Sequence, residues 1–321
     1  MEPIVSQTGA PQQADFARLS PLMALQLAAP HTWPAAILPA LVAFCCAASQ
    51  GFRLSALMAI VLLAICILMQ SAVNTFNDYF DYVNGSDSAE DNVDPTDAVL
   101  VYNNVDPRSA KRLAIGFLVA AFALGAYVIA MAGWIPLAIG IVGALVVVLY
   151  SAGKTPISYL PIGELASGFV MGGLIPLACY QALTSVFDPL MLVWAVPTII
   201  GVGLIMLTNN TCDIEKDIQA GRKTLSVLLG RAAARRLYHA LVWAWIASIF
   251  VIVAVWYTPG TITLVFMLAA IIPLLKALLS NPLAPPSRIG AMAQICSVNI
   301  ALGAFYAAAI LAGGFLDLSL L

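Results

Sequence analysis

The residues best equipped for chemistry occur in two similar stretches. The first, Asn74-Thr-Phe-Asn77-Asp78-Tyr-Phe-Asp81, closes a long apolar run, and the second, Asn209-Asn210-Thr-Cys-Asp213-Ile-Glu-Lys-Asp217, closes another. Each places an Asn four residues ahead of an Asp: Asn74 and Asp78, then Asn209 and Asp213. In a helix, Asn74, Asn77, Asp78 and Asp81 share one face, and so do Asn210, Asp213 and Asp217. Clustered carboxylate and amide oxygens suit a hard cation such as Mg²⁺. The plain alternative is that Asn and Asp merely end a helix at a polar boundary. Two matched copies, each on a membrane-length apolar run, favour the ligand reading.

These stretches need elements to hold them, and composition says which. The chain of 321 residues is 62% hydrophobic and 9% charged, with mean hydropathy +0.95, whereas soluble domains carry about 25% charged residues. It reads as an integral membrane protein of all-α class, because the apolar runs lack strand alternation. Nine spans are expected, at about 33–49, 54–76, 113–132, 134–150, 162–182, 190–210, 238–256, 261–279 and 290–313. With the N-terminus inside, this count puts Arg18, Arg108, Lys111, Arg112, Lys154, Lys216, Arg222, Lys223, Arg231, Arg235, Arg236 and Arg288 on the cytoplasmic side and only Arg53 outside. Both acidic motifs then lie on the cytoplasmic side, since four spans separate them. Spans two and three around the first motif correspond to spans six and seven around the second. The chain thus divides into two pseudo-repeated halves in parallel, each giving one acidic corner to a shared cavity. Residues 1–20 form a polar N-terminal tail, flexible at its start and without a secretory leader, and 21–321 form one transmembrane domain.

Other residues sort around this frame. Tyr150-Ser-Ala-Gly-Lys154-Thr-Pro156 and Ala220-Gly221-Arg222-Lys223-Thr224-Leu225 bring cations near the acidic ends. Lys154, Arg222 and Lys223 suit either lipid headgroups or an anion such as a diphosphate that bridges to metal ions. Glu164 is costly in lipid and must face the bundle interior or the interface. Asp87, Glu90, Asp91, Asp94, Asp97 and Asp106 read as a solvated loop. The six Cys read as buried hydrophobes, and His31 and His239 have no ligand spacing. No nucleic-acid partner is expected.

Two metal-binding corners, nearby cations and an apolar cavity together suit the ionisation of an allylic diphosphate. Metal ions and cations would stabilise the leaving oxygens, an aromatic ring would attack the allylic cation, and lipid would exclude water. The alternative from another class is a cation-coupled secondary transporter, although such sites sit nearer the midplane.

Asn77-Asp78-Tyr-Phe-Asp81, Tyr150-x-x-x-Lys154 and Asp213-x-x-x-Asp217 resemble the UbiA superfamily of intramembrane prenyltransferases. The segments 77–87, 150–164, 220–231 and 32–42 are most similar to its menaquinone-synthesis branch, whose acceptor is 1,4-dihydroxy-2-naphthoate. The resemblance covers about residues 30–310 and implies a nine-helix bundle around a central cavity open to the bilayer. It implies Mg²⁺ held by Asn77, Asp81, Asp213 and Asp217, with Asp78 and Asn210 close by, and catalysis by Asp78, Asp81, Asp213 and Asp217. It implies a polyprenyl diphosphate near Tyr150 and Lys154, with Arg222 and Lys223 as further contacts, and an aromatic acceptor that loses its carboxylate as the prenyl group is added. It also implies a bacterial cytoplasmic membrane. Hydroxybenzoate, haem and glycerol phosphate are the alternative acceptors within the superfamily. Where similar proteins often read Arg-Pro-Lys-Thr at the first span, this chain has Ala29-Pro30-His31-Thr32, which removes cations where an anionic substrate would dock.

Overall fold

Long apolar runs punctuated by Pro and Gly become helices whose starts are set by proline. The computed structural model describes residues 16–83 and 99–315. The chain forms α1 (Pro21–Leu27), α2 (Pro34–Ser49), α3 (Ala56–Val83), α4 (Val99–Asn103), α5 (Pro107–Ala132) and α6 (Ile135–Ser151). Then α7 (Gly163–Ser167) passes through a π-helical stretch, Gly168–Leu174, into α8 (Ile175–Thr184). There follow α9 (Met191–Trp194), α10 (Val196–Cys212), α11 (Ile214–Gln219), α12 (Leu225–Leu229), α13 (Arg231–Trp256), α14 (Thr261–Ser280) and α15 (Arg288–Phe315). Proline occupies the first turn of α2, α5, α6, α8 and α10, where its missing N–H costs nothing. Gly133, at φ 80°, separates α5 from α6.

Each of the nine expected apolar segments is helical. Among the described residues, six helices can cross a membrane by length and composition: Ala56–Val83, Pro107–Ala132, Gly163–Thr184, Arg231–Trp256, Thr258–Ser280 and Pro285–Phe315. Pro34–Ser49 passes only together with Pro21–Thr32, from which it is bent by 54°. α6 and α10, at 17 residues each, are shorter than a full crossing. The protein is an integral, multi-pass membrane protein. Its surface agrees: Leu57, Ile60, Val119, Met131, Val251, Phe266 and Ile272 face outward and exposed, as lipid rather than water would require.

α10 is the element that the second half packs around, touching the π-helical stretch, α13 and α15. Its approach to the π-helical stretch is close enough to need glycine. A Cβ on Gly172 would lie 2.5 Å from the backbone of Ile199, and Thr198 Oγ1 donates to the Gly172 carbonyl at 2.6 Å. Trp245, Tyr238 and Tyr306 fill the interior, with Tyr306 donating to the Trp194 carbonyl at 2.7 Å.

The end of the expected N-terminal tail is fastened. Ala17 N–H donates to the Asn104 carbonyl at 2.9 Å, and Ser20 Oγ caps α1 by accepting from Met23 N–H. Of the acidic loop, Asp87, Glu90, Asp91, Asp94 and Asp97 lie outside the described residues, whereas Asp106 caps α5 by accepting from Arg108 N–H at 3.0 Å.

Candidate active site

The first acidic corner is built on an unbroken helix. α3 continues to Val83, so Asn74, Asn77, Asp78 and Asp81 keep their helical phase. Their side chains nevertheless do different things. Asn74 Nδ2 donates to Thr32 Oγ1 at 2.7 Å and to the Ala28 carbonyl at 3.2 Å, tying α3 to the turn before α2. Asn77 Nδ2 donates to Asp81 Oδ2 at 3.1 Å, while Ser151 Oγ, at the end of α6, donates to Asn77 Oδ1 at 3.0 Å. Asp81 Oδ1 accepts from Arg222 Nη2 at 2.6 Å. Asp78 is buried and accepts from the N–H groups of Val99 (2.9 Å) and Leu100 (3.4 Å). These first-turn groups of α4 have no carbonyl within their own helix.

The second corner sits on a break. α10 ends at Cys212, Asp213 takes φ −99° and ψ 16°, and α11 begins at Ile214. The face expected to carry Asn210, Asp213 and Asp217 therefore does not continue as one helix. Asp213 accepts from Arg288 Nε with both oxygens, at 2.9 and 3.0 Å, and Arg288 Nη2 donates to Asn209 Oδ1 at 2.6 Å. Asn210 Nδ2 donates to Glu164 Oε1 at 2.8 Å, so Glu164 faces inward and the Asn210 amide has a fixed orientation. Glu164 Oε2 is buried without a partner.

Asp217 lies beyond the break and is almost fully buried. Thr224 Oγ1 donates to it at 3.1 Å and Arg222 Nη1 stands 3.6 Å away. Burial raises its carboxyl to about 6 and Asp213 adds to the rise, against the pull of Arg222, Thr224 and Lys216. Arg222 thus bridges Asp81 on α3 and Asp217 on α11, with its guanidinium over the Tyr159 ring at 4.9 Å. Burial works against its charge, but Asp81 and Asp217 outweigh burial and hold its pKa above the ordinary value.

Both corners open into one cavity of about 830 Å³. Asn74, Asn77, Asp78, Asp81, Tyr150, Asn209, Asn210, Asp213, Lys216, Arg222 and Arg288 form its polar wall. Leu62, Ile65, Met69, Val73, Phe122, Val146 and Met171 are among its apolar lining. The Tyr150 hydroxyl is buried without a hydrogen-bond partner. Asp217, Lys154 and Lys223 are not on this wall. Lys154 and Lys223 are exposed, although Lys223 N–H donates to the Tyr159 carbonyl at 2.8 Å and so joins the loop after α6 to the loop before α12. Among the described residues, no three Asp, Glu, His or Cys side chains converge as a ready metal cluster. The oxygens are instead divided between the two corners.

Arg288 is the site residue that sequence reasoning left as a topology marker. Its signal was present: a lone Arg directly ahead of the last apolar run, on the side assigned to both motifs. Asn209 is paired with Asp213 by its spacing but is not among the expected ligands, because it falls outside the i, i+3, i+7 set.

The profile of the UbiA prenyltransferase family matches residues 36–287. A 1,4-dihydroxy-2-naphthoate octaprenyltransferase of Bacillus subtilis is 31% identical over 281 residues, covering 87% of this chain and 88% of its own. One of the same description from Mycobacterium tuberculosis is 31% identical over 268 residues, covering 82% and 85%. Among solved structures, a UbiA homolog from Archaeoglobus fulgidus bound to DMAPP and Mg²⁺ superposes with a TM-score of 0.60 at 17% identity. The match covers 90% of this chain and 99% of that one, a likeness of fold.

Proposed function

The chain belongs to the UbiA prenyltransferase family and is a prenyltransferase, and we propose that it moves a polyprenyl group from its diphosphate to 1,4-dihydroxy-2-naphthoate with Mg²⁺. The observation that carries this reading is the shared cavity: two acidic helix ends, remote in sequence, meet across one hollow whose lining is mostly apolar. A cation-coupled transporter, the rival drawn from the same polar residues, gives way to the family membership. The naphthoate relatives support the acceptor over hydroxybenzoate, haem or glycerol phosphate.

The donor set fits a hard divalent cation, since Asn77, Asp81, Asn210 and Asp213 offer carboxylate and amide oxygens. Asn77 and Asp81 at the first corner would hold it, with Asn210 and Asp213 at the second. Bound there, Mg²⁺ would neutralise the charge that grows on the leaving diphosphate. Arg222 and the Tyr150 hydroxyl face the same region and contact the diphosphate, while Lys154 and Lys223, exposed beside them, draw the anion towards the mouth. The bond from the allylic carbon to the diphosphate oxygen breaks with its electron pair on oxygen. The ring carbon that bears the acceptor's carboxylate attacks the allylic cation, and the electron pair of the ring–carboxylate bond returns to the ring as CO₂ leaves. The apolar wall berths the isoprenoid tail and keeps water from the cation. Asp78 supports the site from behind by anchoring α4, and Asp217 by holding Arg222.

The reading includes nine crossings in two parallel halves, with the N-terminus and the polar wall on the cytoplasmic face of a bacterial membrane. The packing of α3 on α5 and of α10 on α13 supports the two halves. The test is incubation of purified protein with Mg²⁺, one polyprenyl diphosphate and a panel of acceptors, read by mass spectrometry. Prenylated, decarboxylated naphthoate is the expected product. Prenylation of hydroxybenzoate alone would overturn the acceptor, and a lack of product from any acceptor would overturn the reaction.

A further inference from the structure

Two arginines from different parts of the chain serve the acidic corners. Arg222 serves Asp81 and Asp217; Arg288, the first residue of α15, serves Asp213 and Asn209. Arg288 is 9% exposed and on the cavity wall. The turn before it is braced, since Asn281 Oδ1 accepts from Leu283 N–H and from Ser287 Oγ, both at 2.9 Å. The guanidinium is thus presented to the cavity from a fixed backbone. It holds the same two oxygens of Asp213 that the prenyl-transfer reading assigns to a divalent cation. A cation and a guanidinium compete for one carboxylate, because each relieves the same negative charge. A planar fork displaced from a carboxylate is matched to a phosphate, which has the same spacing of oxygens.

We propose that Arg288 is a diphosphate-binding residue that exchanges its bond to Asp213 for the leaving-group oxygens as the divalent cation binds. This rests on the prenyl-transfer reading above and adds a residue to it. Arg288 then has opposite effects on two ligands. It opposes the bare cation by occupying Asp213, and it favours the cation together with diphosphate by answering the new negative charge.

The experiment is isothermal titration calorimetry on the full chain in detergent, comparing wild type, Arg288→Gln and Arg288→Lys. The probes are Mg²⁺ alone, inorganic pyrophosphate at saturating Mg²⁺, and 1,4-dihydroxy-2-naphthoate. In Arg288→Gln, pyrophosphate binding is expected to weaken at least about tenfold, the scale of a charge-assisted contact. Binding of Mg²⁺ alone is expected to tighten by about threefold as the competing charge goes. Arg288→Lys keeps the charge without the fork, so its pyrophosphate loss should be smaller; if the Gln variant does not fold, the Lys variant decides by whether pyrophosphate binding weakens while binding of Mg²⁺ alone holds. Unchanged pyrophosphate affinity overturns the proposal. So does parallel weakening of both ligands, which is what a purely structural arginine would produce. A loss confined to the naphthoate would assign Arg288 to the acceptor's carboxylate instead. Failure of the wild type itself to bind Mg²⁺ with pyrophosphate would sink the prenyl-transfer reading, a separate outcome from any behaviour of the variants.

Discussion

On α3 the helix runs two residues past Asp81, whereas on α10 it stops one residue short of Asp213. The same residue types at similar spacing therefore make two different corners. In the first, the helix fixes where each side chain points, and the four polar residues divide their tasks around its face: Asn74 towards α2, Asp78 towards α4, Asn77 and Asp81 towards the polar wall. In the second, the bend at Asp213 separates the wall residues Asn209, Asn210 and Asp213 from Asp217, which is buried behind. Arg222 reaches across and connects the continuous corner to the broken one. Matching motifs thus establish that two polar sites exist, and the helix beneath each decides which of its oxygens reach the cavity.

If both corners serve one reaction, removing either should be nearly as harmful as removing both. Asp81→Ala and Asp213→Ala are each expected to reduce prenyl transfer by at least about 100-fold, with the double variant close to either single one. The measurement is initial rate at saturating polyprenyl diphosphate. Losses that multiply in the double variant would mean that the corners act independently.

The second corner depends on the close helix approach at Gly172. Gly172→Val would force a side chain into the backbone of Ile199, where even a Cβ comes within 2.5 Å. It should destabilise the protein by about 1–3 kcal/mol and disturb α10 more than α3. Thermal unfolding in detergent, with cysteine-labelling rates on the two helices, would check this. Equal disturbance of both helices would weaken the claim that the corners are held separately.

Much of this was legible from residue types. Nine apolar segments and two polar helix ends follow from hydropathy and from i, i+3, i+4 spacing; the segments are helical and both polar ends reach one cavity. What spacing does not carry is the partner. Asp78 shares the helical face of Asp81, yet the start of α4 claims it, and nothing in its neighbours announces a helix that begins 21 residues later. The bend at Asp213 was equally hidden, since Thr-Cys-Asp-Ile-Glu reads as ordinary helix. Arg288 lies 75 residues from Asp213, and only the bundle brings them together. Residues whose work is local were readable; those that serve a distant segment were not.

Asp78 and Glu164 offer a finer contrast, each supporting its corner from behind. Asp78→Asn removes one of the two acceptors of the α4 N–H groups and should cost about 1 kcal/mol of stability, with a smaller loss of activity than Asp81→Ala. Glu164→Gln keeps the shape but lets the Asn210 amide turn over. It should lower Mg²⁺-dependent activity roughly tenfold with little change in unfolding temperature. A Glu164→Gln variant that unfolds early while its folded fraction works normally would make Glu164 a packing residue only.

A pH-dependent effect separates the buried end of the second corner from its wall. The Asp217 carboxyl is raised to about 6 in the folded protein from an ordinary 3.8, with burial as the largest cause. Its charged form is therefore a cost to folding. The sign follows: below about pH 4 both states hold the proton and there is no penalty. As pH rises the unfolded chain releases it first, and the penalty grows until the folded form also ionises near 6, then stays constant. Asp217→Asn removes that penalty. With Mg²⁺ chelated, its stability relative to wild type should increase between about pH 4 and 6 and level off above, by on the order of 2 kcal/mol. Added Mg²⁺ should shrink the difference if Asp217 joins the cation, and leave it intact if Asp217 serves only to hold Arg222. The pH series, run with and without the ion, thus assigns this carboxylate to the wall or to the scaffold behind it.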